Sequence, residues 1–594
     1  MESDINNKEI INQENNMVMG EQQIIPQQPV PPHQQMMPQQ PVPPQQQMMS
    51  QQPMPPQPQV MHQMPPHQMP PQPMPPYGQP VRYSQKPVVK HPNESVERYK
   101  IMAIPSALYA FVCAICLYKN WSGIFTALFS FISVAFICFS LVRYEKNEAT
   151  KNSTTISTGG ALKKQSKLVL FYIGILLYGI ATFLTNDGII VFICHTGILF
   201  LEIIALASYF NNIKRWGLCK AFVAIGDVLI SPFAYIGEIF IDYTALKKQQ
   251  GKKGYKGIYV FLGIAISLPI LGLVLKLLST ADEVFETVVK KIFGTFLFSW
   301  DALFFAIFAF VVLLFVYGIV VKLPKKDLTY MDGKSVGYDP VIGITITSIL
   351  TAFYLLFSVI QILYLFINNM QLPGDMTYAD YARRGFFQLL FVAILNLIIV
   401  LICLKLFKKS TPLNVVLAIM SGCTYIMIAS SFVRMLMYIK EYDLSYARVV
   451  VLFLLVLTAL LMTGVFIKIF GDTFPLFKYS IVVISIVFIL FAYVRPGNLI
   501  ASYNLSHADE DVDISYIIEL GSDAAPALCE YLEENNYSKN DLVKDYSVSY
   551  NNSVELENSL ESILERNEKY EKIRGFNVSR YFATKSIENY LENN

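Results

Sequence analysis

Hydropathy divides the chain into a polar stretch at 1–98, a succession of long apolar segments over 99–495, and a second polar stretch at 496–594. A bilayer core of about 30 Å needs roughly 20 apolar residues in a helix. The segments that meet this test are 101–118, 121–142, 168–184, 188–210, 258–278, 299–321, 342–367, 386–407, 415–438, 447–470 and 479–494. The pattern therefore predicts an all-α polytopic membrane protein of about 11 transmembrane helices.

Two stretches read as amphipathic helices at the interface instead. In 217–246 the charges of Lys220, Asp227, Glu238 and Asp242 fall within about 60° of arc, with Pro232 as a predicted break. Lys214, Arg215, Lys247 and Lys248 flank it, which suits a helix pair on the membrane surface. In 283–297 Phe285, Val288, Val289, Ile292 and Phe296 share a side while Glu286 and Lys290 form an i,i+4 pair.

Composition sharpens the class. Only 15% of residues are charged and 53% are hydrophobic, against about a quarter charged in soluble chains, which argues against an ordinary cytosolic enzyme. Net charge is +2, so no nucleic-acid partner is expected. The first 98 residues cannot build a core. They hold most of the prolines, no charge between Glu21 and Arg82 and no aromatic before Tyr77, and they read as a disordered tail. QQPVPP at Gln27 and Gln39 and QQPMPP at Gln51 form a short repeat, and Pro53 with Pro56 gives the spacing a cytoplasmic polyproline-binding partner reads.

Basic residues set the expected orientation. They crowd the tail before the first span and the connections 143–167 and 211–257, and are nearly absent from the first and third connections. The reading is a multi-pass protein of the cell membrane, N-terminus cytoplasmic. Eleven spans then put the C-terminus outside; ten or twelve would put it inside. The region 496–594 is acidic and reads as a small helical domain, with Asp513 capping one helix, Ser522 capping the next, and Leu556, Leu560, Ile563 and Leu564 on one face of a third.

Candidate chemistry is sparse. No HExxH, P-loop or GxSxG motif occurs, no cofactor or metal site is implied, and Cys113 and Cys116 lie inside an apolar helix. Ionisable groups at membrane depth remain. His195 and Glu202 are seven apart and share a helical face, as a relay or as interhelical contacts. A second group flanks the eighth to tenth spans: Tyr378, Asp380, Arg383 and Arg384 in the connection before 386, then Arg434, Tyr438, Glu441 and Arg448. Thr377 and Asp380 have capping-box spacing. Arg434, inside an apolar stretch, must be paired, with Glu441 or the 372–384 connection as expected partners.

Four segments carry a resemblance: TYADYARRGFFQLL (377–390), SSFVRMLMYIKEYDLSYAR (430–448), RPGNLIASYNL (495–505) and GFNVSRYFA (575–583). In this order they resemble a bacterial multi-pass membrane family catalogued as domain of unknown function 4173, close to the one numbered 4153. Where the family favours glycine this chain has Asp443. The resemblance implies a polytopic bacterial envelope protein and supplies no substrate. By parity the connections after spans seven and nine share one face with the tail after span eleven. Two function classes follow. One is a transporter-like or envelope signalling and assembly protein, for which His195, Glu202 and Asn396 would converge. The other is a membrane-embedded enzyme acting on lipid-linked or envelope material at the Arg/Tyr-rich outer face.

Overall fold

The computed structural model describes residues 92–151, 165–210, 218–251, 300–322, 337–363, 385–507, 512–544, 553–570 and 573–593, with scattered positions over 263–288. The Pro/Gln tail, most of 258–278 and 283–297, and the 364–384 connection lie outside the described residues. Among the described residues ten helices are long and apolar enough to cross a membrane. They are contained in α1 (Pro92–Leu117), α2 (Ile124–Lys151), α3 (Val169–Leu184), α4 (Gly188–Phe210), α7 (Trp300–Lys322), α8 (Pro340–Gln361), α9 (Phe386–Leu406), α10 (Thr411–Tyr442), α11 (Tyr446–Phe470) and α12 (Leu476–Val494). Each coincides with a span expected from hydropathy; the remaining expected span, 258–278, is the one lying mostly outside the described residues.

Between α4 and α7 stand α5 (Leu218–Ala234) and α6 (Glu238–Gln249), bent by 49° at the residues between them. Pro232 sits inside α5 and the break follows it, at Tyr235–Gly237. The expectation of a solvated polar face on this pair is corrected: Glu238 and Asp242 are buried.

The burial pattern is that of a protein whose solvent is lipid. Ile104, Phe353, Phe391 and Leu490 are exposed, while Ser130, Thr182, Asn396 and Ser421 are fully buried. In water this arrangement would be upside down; in hydrocarbon apolar side chains have nothing to gain from the interior, and hydroxyls bond inside. Thr126 bonds Thr182 at 2.8 Å across α2 and α3, and Asn396 donates to Thr424 at 3.0 Å across α9 and α10.

Contacts order the faces. Call the end at which α1 begins the near face. Tyr118, at the far end of α1, meets Phe305 near the start of α7, while Tyr317, near the end of α7, meets Asp242 on the near side. So α4 ends on the near face and α7 begins on the far one, and the connection between them has to change faces. The two sides of the 364–384 connection, the Asp443–Ser445 turn and everything after α12 then share the far face.

The C-terminal region contains α13 (Pro496–Ser506), α14 (Ile514–Glu519), α15 (Ala525–Glu534), α16 (Leu556–Glu568) and α17 (Val578–Asn593). A two-stranded antiparallel ladder, β1 (Leu542–Lys544) with β2 (Ser553–Glu555), was not expected. Leu528, Leu532, Leu556, Leu560, Ile587 and Tyr590 form its core. Asp513 caps α14 as expected, accepting from the Tyr516 amide at 3.1 Å. Ser522 does not cap α15; its hydroxyl donates to Asn567 at 3.0 Å instead.

This region is joined to the far face by a polar seam. Buried Asp523 accepts from Thr185 and, at 2.8 Å, from Arg495. Asn577 donates to the carbonyls of Thr182 and Thr185 at 3.1 and 2.9 Å. Arg580 donates to Ser122, and Arg574 to the Tyr118 carbonyl. Gly123 allows the approach: its φ is +125°, and a Cβ there would lie 2.9 Å from the backbone of Gly575 and Phe576.

Asp443 ends α10 at φ 64°, ψ −175°, a region that only glycine enters without strain. Arg448 holds the turn, donating to the carbonyls of Tyr442 and Asp443 while its guanidinium lies 4.4 Å from the Tyr438 ring centroid. Asp443→Gly should raise stability by about 1 kcal/mol, read as a higher midpoint of unfolding in detergent.

Candidate functional site

Glu202 lies past the middle of α4 and faces α1 and α2. Ser133 of α2 stands beside its carboxyl and pairs with Tyr109 of α1 at 2.7 Å. Oε1 of Glu202 is buried and has no hydrogen-bond partner among the described residues. It borders a cavity of about 100 Å³ between α1, α2, α4 and α7, whose walls include Met102, Phe136, Leu206 and Val316. The one other polar atom buried there without a partner among the described residues is the hydroxyl of Ser140. That space is large enough to admit water. A carboxyl facing so apolar a space needs a proton or a cation to be neutralised, because an isolated buried charge costs several kcal/mol.

The near-face end of this cavity adjoins an ion cluster. Arg98, in the first turns of α1, grips fully buried Asp242 with two bonds of 2.7 and 2.6 Å, and Tyr317 donates to the same carboxylate at 2.7 Å. Glu238 lies 3.5 Å from the same guanidinium. Met102 and Val320 belong both to the cavity wall and to the apolar packing around this cluster.

His195 and Glu202 are not brought together. His195 bonds the Trp121 carbonyl at 2.8 Å, its ring 5.1 Å from that of Trp121, two turns nearer the far face. Asn396 is bonded to Thr424 in the α9–α10 pair. The convergence expected of His195, Glu202 and Asn396 is absent among the described residues. Glu202 is met instead by hydroxyls that sequence reading passed over. Their signal was present: Ser133 and Ser140 continue a stripe begun by Thr126 and Ser130, at spacings of four, three and seven along α2, on an apolar helix.

Tyr378, Asp380, Arg383 and Arg384, with the Thr377 capping box, lie outside the described residues. Arg434 is 7% exposed and donates to the Gln361 side-chain carbonyl of α8 at 3.0 Å, with Ser430 bonding the same oxygen at 2.6 Å. Gln361 is a partner that the sequence did not suggest. Tyr438 packs near Phe386, with ring centroids 6.1 Å apart, and Glu441 is exposed at the end of α10. Phe386, Phe387, Met435, Tyr438 and Arg448 line a pocket of about 330 Å³.

These features define a multi-pass integral membrane protein. A family profile described as a domain of unknown function, number 4153, matches residues 172–531. The chain belongs to that family, the second of the two that its motif order suggested. The match runs from α3 into α15. No curated protein and no solved structure matches the chain.

Removing the carboxylate that Arg98 grips leaves a buried guanidinium short of its main partner. Asp242→Ala should destabilise the protein by about 3 kcal/mol. Arg98→Leu combined with Asp242→Ala should recover part of the loss, as a double-mutant cycle on detergent unfolding would measure.

Proposed function

We propose that this is a transporter-like membrane protein in which Glu202 takes up a proton, or the cationic group of a small solute, inside the cavity between α1, α2, α4 and α7. The observation that carries this reading is the buried Glu202 Oε1, without a hydrogen-bond partner among the described residues, on the wall of a largely apolar cavity. Ionisable groups at membrane depth are kept where they work on ions or protons. The bent α5–α6 pair beside the near-face end of the cavity is the kind of broken helix that transporters place at such sites. Tyr109 and Ser133 supply hydroxyls that can follow the carboxyl between its two charge states.

A hydrophobic carbodiimide, which reacts with carboxyls reached from an apolar phase, should label Glu202 in membranes, as mass mapping would show. Glu202→Gln should unfold at the wild-type midpoint yet lose the label. An unlabelled Glu202 in folded protein would sink the reading.

By the basic-residue pattern the near face is cytoplasmic and the C-terminal region lies outside a bacterial cell membrane. A cysteine replacing exposed Lys248 should be shielded from impermeant thiol reagents in intact cells, and one replacing exposed Asn535 should react. The reverse pattern would invert the orientation. Asn186 is unsuited to such a probe because it bonds Ser522 in the seam at 3.3 Å. The tail, on the cytoplasmic side, then offers its PxxP spacing to a polyproline-binding partner.

A second reading rests on the far-face pocket. Its aromatic walls and the guanidinium of Arg448 suit the apolar chain and phosphate of a lipid-linked substrate handled by an enzyme. Under that reading Tyr438→Ala abolishes the cellular phenotype and Glu202→Gln leaves it intact; the transporter reading expects the opposite.

A further inference from the structure

The C-terminal region carries an apolar ridge that its own core does not use. Ile573 is 81% exposed, Tyr581 51%, Phe582 53% and Phe576 41%. The rings run in sequence, Phe576 to Tyr581 at 5.9 Å and Tyr581 to Phe582 at 5.5 Å between centroids. The ridge continues onto the membrane bundle, because Phe576 also stands 6.0 Å from Phe183 in the last turn of α3. Exposed Trp121, in the turn between α1 and α2, lies at the same far-face level.

We propose that this ridge rests in the far-leaflet boundary between headgroups and acyl chains, so that the C-terminal region is a membrane-surface element held by lipid as well as by its polar seam. Three observations choose lipid over another occupant. The ridge is continuous with the far end of the α3 span, where Phe183 meets Phe576. Its composition, aromatics with an isoleucine, is that of an interfacial belt. Its charge also fits. The region from 496 onward is strongly acidic, yet the stretch 569–585 reverses sign, with five basic residues against Glu571 alone; Arg574 and Arg580 are taken up by the seam, which leaves the lysines for the lipid side. Exposed Lys585 lies one turn from Tyr581 and Phe582 on α17, placed to meet lipid phosphates.

The seam orients the ridge. Arg574 and Arg580 point inward to the carbonyls of Tyr118 and Ser122, and Asn577 to those of Thr182 and Thr185. The same short segment thus turns its polar side chains to the bundle and its aromatic ones outward at bilayer level.

The test adds one tryptophan to the full-length protein. Phe582→Trp is conservative at an exposed aromatic position, and Asn535→Trp is the control on an exposed position of the same region. Both are reconstituted in phosphatidylcholine vesicles whose chains are brominated near the ester end, and the three native tryptophans are subtracted with wild type. The Phe582→Trp emission should be blue-shifted, lost to brominated lipid and little affected by acrylamide; the Asn535→Trp emission should be lost to acrylamide alone. Quenching of Phe582→Trp by acrylamide but not by bromine would place the ridge in water. Protection from both would mean that protein covers it, a second copy or another part of this chain. Either result overturns the proposal. Because the measurement does not involve Glu202, its outcome is independent of the transport reading.

Discussion

Asp523 accepts hydrogen bonds from Thr185 of the membrane bundle and from Arg495 at the end of α12, while 1% exposed to solvent. A buried carboxylate is tolerated only when its partners are in place, so the turn after α3, the end of α12 and the start of α15 have to meet at one point. The rest of the architecture follows from that meeting. It fixes the C-terminal region to the ends of α3 and α12. It also sets Asn577 and Arg580 beside the Thr182 and Ser122 carbonyls, which aims the aromatic ridge sideways at the level of the span ends.

Inside the bundle the same rule works in reverse. Polar groups are placed where another polar group can satisfy them, Thr126 with Thr182, Asn396 with Thr424, Arg434 with Gln361. Glu202 differs from these in chemical type: it is a carboxyl among hydroxyls, amides and a guanidinium, and its Oε1, like the hydroxyl of Ser140 and Oδ1 of Asn396, has no hydrogen-bond partner among the described residues. A carboxyl at membrane depth beside a cavity is the default place to look for function, and the transporter-like reading proposed for this chain rests on it. His195, equally suggestive as a residue type, bonds a main-chain carbonyl and packs against the Trp121 ring, which holds the turn between α1 and α2 to α4.

The segments that carry the family resemblance sit largely at structural joints. Arg495 anchors Asp523, Asn577 and Arg580 seal the seam, and Asp443 with Arg448 shapes the turn between α10 and α11. At Asp443 the family's preference for glycine has a direct reading, since φ is 64° there. The described motif residues mark where chain segments are clamped together, whereas Glu202 and the cavity between α1, α2, α4 and α7 belong to none of the four segments.

What the sequence determined by itself is the set of membrane spans. A 20-residue apolar run has one way to satisfy its backbone in lipid, and that is as a helix, so the ten described spans, their order and the helical C-terminal region were legible from hydropathy and capping alone. Pairing was not. Asp242 looked like part of a solvated face because helical phase cannot say what lies opposite; Arg98, 144 positions earlier in the chain, is what buries it. Glu202 was legible as an anomaly, but its setting, the serines of α2, the hydroxyl of Tyr109 and a cavity closed by α7, needed four helices to be placed side by side. The ridge of Phe576, Tyr581 and Phe582 would pass in sequence for core of a small domain. Only the seam, a set of long-range hydrogen bonds between side chains and carbonyls, turned it outward.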